Sequence, residues 1–319
     1  MRIENKQAKK NILVVRNDRF GEFLLNIPAF RAVKDTFSDC CLIALVDPAV
    51  SGLALATGYF DEVIPWKQER HSLKEKVGLI RLLRQKNIDT AIILNPAKEM
   101  NIISFLSGIP LRIGYDRKFG FLLNRKLKDT KHLGQKHEVE YNLDLVSLLP
   151  ARTGDRRLSL KIREKPPIAE RDFVMIHPWT SDPIKQWPLQ RFVELAGRVI
   201  SELGFKVAIV GGKENAEESK RRFSLLGEGL IDLTGKTTLE ELAALLGVCR
   251  ILVTADSGPM HLAACMNTPV IALFSNAIAG KSSRRWGPWG DGHTVIEKRT
   301  LKEITTEEVL FKLKERLSR

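Results

Sequence analysis

Short apolar runs alternate with helix-like stretches along the whole 319-residue chain. The runs are nearly continuous, as in strands that helices cover on both faces, and the stretches between them show helical periodicity. Such alternation predicts an α/β fold with parallel sheets. The predicted strands form two series, residues 11–15, 41–46, 61–64 and 90–94, then residues 173–176, 207–210, 230–233, 251–253 and 270–274.

A charged, proline-rich segment at residues 165–168 separates the two series. We therefore predict two doubly wound, Rossmann-like domains, residues 1–168 and 169–319, which face each other across a cleft. A cleft between two such domains is the expected ligand site. Helical periodicity marks residues 24–35, 73–86 and 138–149, and no internal repeat is visible.

The composition, 44% hydrophobic and 28% charged, is that of a soluble globular protein. No apolar run reaches the roughly 18 residues that span a bilayer, and residues 1–10 lack a signal-peptide core, so a cytoplasmic location is expected. The four cysteines show no disulfide or zinc spacing and are predicted to be small buried residues. Without H-E-x-x-H, paired C-x-x-C or Asp-x-Asp patterns, the sequence predicts no metal site.

The net charge of +13 is concentrated in the first half. Residues 1–168 hold 30 basic and 19 acidic residues, whereas the remainder holds 21 and 19. This half could attract an anionic acceptor, an anionic membrane or a nucleic acid, or could simply be solvated. No nucleic-acid motif is present, so no nucleic-acid partner is predicted. The densest cluster is Arg112, Arg117, Lys118, Arg125, Lys126, Lys128 and Lys131.

The most informative segment follows the apolar run at residues 251–253. It places Asp256, Ser257, Gly258, Pro259 and then His261 at a strand-to-helix turn, where ligands bind in open parallel sheets. Gly258 permits close approach, Pro259 suits the first helical turn, and Ser257 or Asp256 can cap the helix. The turn is thus either a phosphate site or an ordinary capped helix.

A second turn of similar design follows residues 173–176. Thr180, Ser181 and Lys185 could supply two hydroxyls and one cation to a diphosphate, or could belong to a polar surface loop. Trp187 is predicted to cover the core. A third turn follows residues 11–15, where Gly21 permits close approach and Glu22 lies near a helix start. Glu22 is either functional or an acid that complements the helix dipole.

Together, the three segments resemble glycosyltransferase family 9, which contains the ADP-heptose:lipopolysaccharide heptosyltransferases. The resemblance covers nearly the whole chain, through an R-x-D-x-x-G-D-like turn, an H-P-x-x-x-x-x-x-K-x-W-P segment and D-S-G-P-M-H-L-A-A. It implies the two-domain GT-B fold, with acceptor held mainly by the first domain and nucleotide sugar by the second. It also implies an inverting reaction that uses neither metal nor cofactor.

The resemblance assigns roles to individual residues. Glu22 stands where the family has an aspartate that resembles the catalytic base, with Asp18 and Gly21 in the same turn. Because the longer side chain moves the oxygens, the base is either Glu22 or its neighbour Asp18. Lys185 serves the leaving group, and the donor-binding residues are Thr180, Ser181, Gly211, Gly212, Asp256, Ser257, Gly258, Pro259, Met260 and His261.

The implied partners are a nucleotide-sugar donor, ADP-heptose, and an anionic lipopolysaccharide core acceptor, with peripheral association at the inner face of the inner membrane. His261 is either a ligand to phosphate or sugar, or a core histidine. Gly211 and Gly212 do not belong to a G-x-G-x-x-G pattern. Two alternatives stay open, a nucleotide-sugar epimerase of similar fold and a binding protein that lost catalysis through the change at Glu22.

Overall fold

The computed structural model describes residues 10–318, and the chain forms two compact units. Unit 1 comprises Met1–Thr130 and Val139–Arg156, and unit 2 comprises Lys131–Glu138 and Arg157–Arg319. The units thus divide after Arg156, ahead of the proline-rich segment that the sequence analysis used as a boundary. The expected lack of a signal peptide rests on residues 1–10, of which residues 1–9 lie outside the described residues.

Unit 1 is built on a parallel sheet with the strand order β3-β2-β1-β4-β5-β6. Its strands are β1 (Asn11–Arg16), β2 (Cys41–Val46), β3 (Glu62–Pro65), β4 (Thr90–Ile93), β5 (Leu111–Tyr115) and β6 (Arg125–Leu127). The helices around them are α1 (Phe20–Leu24), α2 (Ile27–Thr36), α3 (Ser51–Ala56), α4 (Leu73–Gln85), α5 (Lys98–Leu106) and α6 (Glu138–Val146).

Unit 2 repeats this topology, with the order β12-β11-β10-β7-β8-β9. Its strands are β7 (Val174–His177), β8 (Val207–Ile209), β9 (Leu230–Asp232), β10 (Ile251–Ala255), β11 (Val270–Ser275) and β12 (Thr294–Lys298). The helices are α7 (Leu189–Leu203), α8 (Ala216–Phe223), α9 (Leu239–Leu246), α10 (Gly258–Cys265), α11 (Ser283–Trp286) and α12 (Thr306–Leu317).

Each unit therefore has the doubly wound order in which the first and fourth strands lie side by side. In unit 1 these strands are β1 and β4, and in unit 2 they are β7 and β10. The chain runs outward from this junction in both directions, so the loops after the two central strands part and leave a crevice. The predicted α/β class with two doubly wound units is confirmed.

The apolar runs form strands because both faces of each sheet are covered. In unit 1, Leu13 and Val15 of β1 pack with Leu79 and Leu83 of α4 on one face. In unit 2, Trp187 is fully buried, as predicted, and its indole Nε1 donates to the Ile304 carbonyl at 2.9 Å. Cys40 and Cys265 are buried as expected, but Cys41 and Cys249 are only half-buried.

Two features of the secondary structure differ from expectation. The helix expected at residues 24–35 is interrupted, because Pro28 lies in the first turn of α2 and cannot continue the preceding turn. Strands β5, β6 and β12 were not predicted. They carry charges or glycine and include the outermost strands of both sheets, which commonly lack a long apolar run.

Within the described residues, no helix has the length and apolar character needed to cross a bilayer. The structure therefore offers no transmembrane helix between residues 10 and 318.

A buried ionic cluster fixes the Lys131–Glu138 segment within unit 2. The Glu138 carboxylate is 1% exposed and lies 2.5 Å from the Lys131 ammonium and 2.9 Å from the Arg285 guanidinium. Gly134 and Gly280 pack closely in the same region, since a Cβ on Gly134 would lie 2.2 Å from the Ala279 carbonyl oxygen. Ion pairs and close backbone packing thus hold this segment against the rest of unit 2.

We predict that Glu138→Gln destabilises unit 2 by about 3–5 kcal/mol, because it leaves two cations buried without their carboxylate. Urea unfolding followed by tryptophan fluorescence reports mainly on unit 2, which holds four of the five tryptophans. The control is Glu315→Gln, whose carboxylate pairs with Lys312 at 2.8 Å on the exposed surface. Equal midpoints for the two variants would contradict the role of the cluster.

Candidate active site

All three motif turns lie at carboxyl edges of the sheets. The first follows β1, the second follows β7 and the third follows β10 directly, since Asp256 and Ser257 separate that strand from α10. Glu22 lies in the first turn of α1, and Gly21 beside it is buried. The three turns therefore lie at the strand ends where the sequence predicted them.

In unit 2, the second and third turns meet at the junction of β7 and β10. His177, the last residue of β7, is in register with Thr254. The Thr254 hydroxyl donates to the His177 carbonyl at 2.9 Å and also lies 2.9 Å from the Ser257 hydroxyl. The His177 Nδ1 atom lies 3.2 Å from the same threonine oxygen. One threonine thus links both turns.

This network corrects one expectation about Ser257. Ser257 or Asp256 was expected to cap the following helix, and Ser257 makes no side-chain capping hydrogen bond to α10. Its hydroxyl instead contacts Thr254. The Ser257 hydroxyl therefore does not compete with an anion for the first amides of α10.

The start of α10 presents backbone rather than side chains. Pro259 and Met260 were assigned to the binding site, yet both side chains are buried. Gly258 is the first helical residue and is half-buried, so its backbone is accessible. The peptide groups at Gly258 are therefore accessible to a ligand.

The second turn is organised by Gln186, which the sequence analysis did not single out. Its side-chain amide donates to the carbonyls of Pro178 and Trp187 at 2.6 and 2.7 Å. Its carbonyl oxygen accepts from the Thr180 amide at 3.1 Å. The Thr180 hydroxyl donates to the Asp182 carbonyl at 2.9 Å, and Ser181 is exposed. The loop therefore has a defined shape with a free serine hydroxyl.

Lys185 connects the second turn to the third. Its ammonium lies 2.5 Å from an Asp256 carboxylate oxygen, and the two side chains are 20% and 9% exposed. Lys185 ends a 3₁₀ turn, Pro183–Lys185, in which the Asp182 side chain accepts a hydrogen bond from the Ile184 amide. A small pocket beside the pair is lined by Leu273, Phe274, Ile278, Lys281 and Leu301.

Two histidines near this junction are neutral at physiological pH. Burial lowers the pKa of His177 to about 4. Burial also lowers the pKa of His261 to about 3, and the charges of His137 and Lys185 act in the same direction. Among the described residues, His261 Nδ1 is a buried atom without a hydrogen-bond partner. His261 can therefore offer a hydrogen bond but not a positive charge.

Gly211 and Gly212 follow β8 at the same edge. A Cβ on Gly211 would lie 2.5 Å from the Trp179 ring, and one on Gly212 would lie 2.2 Å from the Glu214 carboxylate. Packing thus explains Gly211, whereas a Cβ on Gly212 would meet only the mobile end of the exposed Glu214 side chain. Trp179 is buried with its ring beside Phe223, and its Nε1 has no partner among the described residues.

In unit 1, a buried arginine contacts the acidic residues of the first turn. Arg16, 2% exposed, lies at the end of β1 and donates from Nε to Asp18 at 2.8 Å. A second nitrogen of the same group donates to Glu22 at 2.5 Å. A third contact reaches the Leu94 carbonyl after β4 at 3.3 Å. Both candidate carboxylates are therefore oriented by one guanidinium.

Asp18 and Glu22 act as a pair. Burial raises the pKa of Asp18 to about 7, Arg16 opposes this shift, and the neighbouring Glu22 adds to it. Two adjacent carboxyl groups of this kind share a proton near neutral pH. The side chains are 14% and 28% exposed, so Glu22 is the more accessible of the two.

Asparagines mark the junction of β1 and β4. The Asn95 amide donates to the Asn17 carbonyl oxygen at 3.1 Å, and the Asn95 Oδ1 atom is buried without a hydrogen-bond partner among the described residues. Neither was predicted. The signal that could have identified them is a polar side chain within two residues of the end of an apolar run. The same signal applies to His177 and Thr254.

The described residues contain no group of three or more His, Cys, Asp or Glu side chains that could hold a metal ion. Lys185, the hydroxyls and the α10 amides are the groups at the unit 2 junction that can contact an anion. The geometry provides an anion-binding edge in unit 2 and an oriented carboxyl pair in unit 1.

Comparison with known proteins identifies the family. The model of glycosyltransferase family 9 (heptosyltransferase) matches residues 77–312, well over half of the chain. The chain belongs to glycosyltransferase family 9. It is 25% identical to lipopolysaccharide heptosyltransferase 2 of Salmonella typhimurium over 82% of each chain. The expected family and enzyme class, a heptosyltransferase-like glycosyltransferase, are thereby confirmed.

Solved structures agree with this assignment at the level of the fold. The Escherichia coli ADP-heptose lipopolysaccharide heptosyltransferase II has a TM-score of 0.82 at 23% identity, covering 97% of this chain and 98% of that one. An E. coli heptosyltransferase solved with ADP-2-deoxy-2-fluoro heptose has a TM-score of 0.76 at 20% identity, covering 96% and 99%. The expected GT-B fold of family 9 is confirmed.

We predict that Gly211→Ala destabilises this glycosyltransferase by about 1–3 kcal/mol, because the new methyl group displaces the Trp179 ring. Thermal unfolding and near-ultraviolet circular dichroism would measure the effect. Gly78→Ala is the control, since nothing lies within 4 Å of a Cβ at that exposed position of α4. That variant should be neutral or slightly stabilising. A stable Gly211 variant with unchanged tryptophan signals would show that the packing argument is wrong.

Proposed function

We propose that this family 9 enzyme is an inverting, metal-independent transferase that moves a heptose from ADP-heptose to an anionic acceptor in the lipopolysaccharide inner core. The observation that carries the proposal is the meeting of Lys185 with the Asp256 turn at the β7–β10 junction. The relatives add the identity of the sugar, since their names specify heptose, ADP-heptose and lipopolysaccharide.

The donor half of the proposal concerns the leaving group. When the bond between the anomeric carbon and the phosphate oxygen breaks, negative charge develops on the departing ADP. Lys185, the Ser181 hydroxyl and the amides that open α10 stabilise that charge. The Thr180 hydroxyl joins them once it turns away from the Asp182 carbonyl, to which it donates before the sugar nucleotide binds. Asp256 holds Lys185 before the donor binds, so the diphosphate competes for an ammonium that is already oriented.

His261, Gly211 and Gly212 complete the proposed donor site. Because His261 is neutral, it contributes a hydrogen bond to a phosphate or sugar hydroxyl rather than charge. The two glycines leave the edge after β8 open to the nucleoside. We assign Ser257, Gly258, Pro259 and Met260 to the site through their backbone.

The acceptor half of the proposal concerns the carboxyl pair of unit 1. Glu22 takes the proton from the acceptor hydroxyl as that oxygen attacks the anomeric carbon from the face opposite the phosphate, which inverts the centre. Arg16 fixes the orientation of Glu22, and Glu22 in turn contributes to the raised pKa of Asp18. Gly21 leaves room for the acceptor beside the turn.

We further assign acceptor binding to unit 1 and donor binding to unit 2. The basic excess lies in the first half of the chain and suits an acceptor rich in carboxylate and phosphate groups. Because such an acceptor is carried on a lipid, the proposed enzyme works at the inner face of the inner membrane as a peripheral protein.

We predict that Lys185→Ala lowers kcat at least about 100-fold, because it removes a preorganised cation from the leaving group. Release of ADP from ADP-heptose in the presence of inner-core acceptor measures this. The matched control is Lys206→Ala, whose ammonium pairs with Glu170 at 3.3 Å on the exposed surface.

Some loss of stability accompanies Lys185→Ala, since Asp256 loses a partly buried partner. Measuring melting temperature and kcat together separates the two effects, and Lys185→Ala/Asp256→Asn restores charge balance without restoring the cation. A double variant with normal kcat would exclude the leaving-group role. ADP release without acceptor, or conversion of the donor to an epimer, would favour the epimerase alternative.

We predict that Glu22→Gln lowers transfer by about 10²–10⁴-fold while leaving ADP-heptose binding intact, because only the proton acceptor is lost. The pH dependence of kcat/KM should rise through a pKa near 7, since the carboxyl pair holds a proton below that value. Asp18→Asn should shift the rise to lower pH. If Asp18→Asn abolishes transfer and Glu22→Gln does not, the base is Asp18.

The wild-type protein supplies the control for this experiment. If it binds ADP-heptose but transfers to no core acceptor at any pH, it is a nucleotide-sugar-binding protein.

The raised pKa of Asp18 also determines how the stability of the fold changes with pH. Because the unfolded chain releases the Asp18 proton near 3.8 and the folded chain near 7, ionisation of Asp18 reduces stability as pH rises between those values.

A further inference from the structure

Unit 1 exposes a pair of aromatic rings that no part of the proposed reaction uses. Phe119 and Phe121 flank the buried Gly120, and their ring centroids are 5.4 Å apart. Phe121 is 72% exposed and Phe119 is 39% exposed. We call these two residues the aromatic tip. Adjacent exposed rings of this size generally mark a surface that binds a partner.

The backbone that leads into the aromatic tip is strained. Lys118 and Phe119 both adopt left-handed conformations, with φ of 47° and 70°, which bulky residues rarely do. The side chain of Asn101, on α5, donates to the carbonyls of Lys118 and Arg117 at 3.0 and 3.4 Å. Asn101 is buried, so a core residue maintains the strained turn and keeps both rings outside.

Positive charge surrounds the aromatic tip. The Lys98 ammonium lies 4.5 Å from the centroid of the Phe119 ring. Strand β6, paired with β5 at the edge of the sheet, adds further cations on the same stretch of chain. We call the exposed basic residues of this region the basic face, namely Lys98, Arg117, Lys118, Arg125, Lys126 and Lys128.

Internal ion pairs account for only part of this charge. Arg117 pairs with Asp129 at 3.1 Å, and Lys126 pairs with Asp116 at 3.0 Å. No acidic partner is found among the described residues for Lys118 or Lys128. Arg112, by contrast, is a structural residue, since its guanidinium donates to the Leu122 carbonyl at 2.8 Å. The basic face therefore carries cations available to an external anion.

We propose that the aromatic tip and the basic face form the docking surface of this enzyme for an anionic phospholipid bilayer. Aromatic side chains partition into the interface between headgroups and acyl chains, while lysine and arginine are attracted to anionic headgroups. The Lys98 ammonium beside the Phe119 ring and the exposed Lys118 next to it in the chain suit an apolar patch that meets an anionic surface. The inference builds on the proposed membrane setting and specifies which face meets the lipid.

Flotation with extruded vesicles tests this surface without any sugar chemistry. The full-length protein is mixed with vesicles of phosphatidylcholine and phosphatidylglycerol, or of phosphatidylcholine alone, none of which contains lipopolysaccharide. We expect binding to the anionic vesicles that weakens as salt rises, and little binding to the neutral ones. Absence of binding to anionic vesicles, or equal binding to both kinds, overturns the proposal.

Matched variants locate the surface. Phe121→Ser should weaken binding about tenfold or more, since it removes most of an inserted ring. Phe311→Ser is the control, because Phe311 of α12 is 58% exposed and also lies beside a lysine ammonium, that of Lys312 at 5.2 Å. Equal weakening by both variants, or by neither, overturns the assignment.

The charge contribution is tested in the same assay. Lys118→Gln and Lys128→Gln should each weaken binding about fivefold, as expected for one cation near an anionic surface. Lys220→Gln and Lys302→Gln change exposed lysines of unit 2 and should have no effect. Unchanged circular dichroism confirms folding. Equal losses from the unit 2 pair would mean that net charge rather than this face drives binding.

Transfer to a delipidated acceptor separates this inference from the proposed function. Phe121→Ser should retain normal transfer to that acceptor while losing vesicle binding. If no variant or wild-type protein shows transfer, the proposed function fails, yet the vesicle result still stands or falls by itself. If vesicles bind only when they contain lipopolysaccharide core, the surface recognises the acceptor and the bilayer proposal is wrong.

Discussion

The hydrogen-bonded ladder between β7 and β10 is the constraint on which the proposed donor site depends. It places His177 in register with Thr254, so the loops that follow the two strands emerge side by side. Lys185 from one loop then meets Asp256 from the other at 2.5 Å. A cation and an uncapped helix start come together only because parallel strands end at one edge. The doubly wound order leaves that edge open.

Electrostatics takes opposite forms in the two units. In unit 2, a half-buried ammonium is held by a carboxylate and lies near peptide amides, an arrangement suited to receiving negative charge. In unit 1, the buried guanidinium of Arg16 holds two carboxyl groups that share a proton. An arginine suits this task because its planar group reaches both acids at once and stays charged. The same topology thus carries the proposed anion site in one unit and the proposed proton acceptor in the other.

The replacement of the family's aspartate by Glu22 becomes intelligible in this setting. The added methylene lets the carboxylate reach the Arg16 guanidinium at 2.5 Å from the first turn of α1. Asp18 pairs with Nε of the same guanidinium, and burial raises the pKa of Asp18 to about 7. The base is therefore a property of the pair. Its orientation is set by a residue whose role the motif alone did not reveal.

The sequence by itself determined the fold class, the three turns and the family, because apolar runs, glycine and proline act locally and leave a readable pattern. It missed β5, β6 and β12, which carry charges or glycine, and it offered Ser257 or Asp256 as the cap of α10, whereas the Ser257 hydroxyl contacts Thr254. Only the tertiary structure decided which side chains, distant in the sequence, form ion pairs. Such pairs as Lys185 with Asp256 depend on strand order and register, which residues far apart in the chain fix jointly.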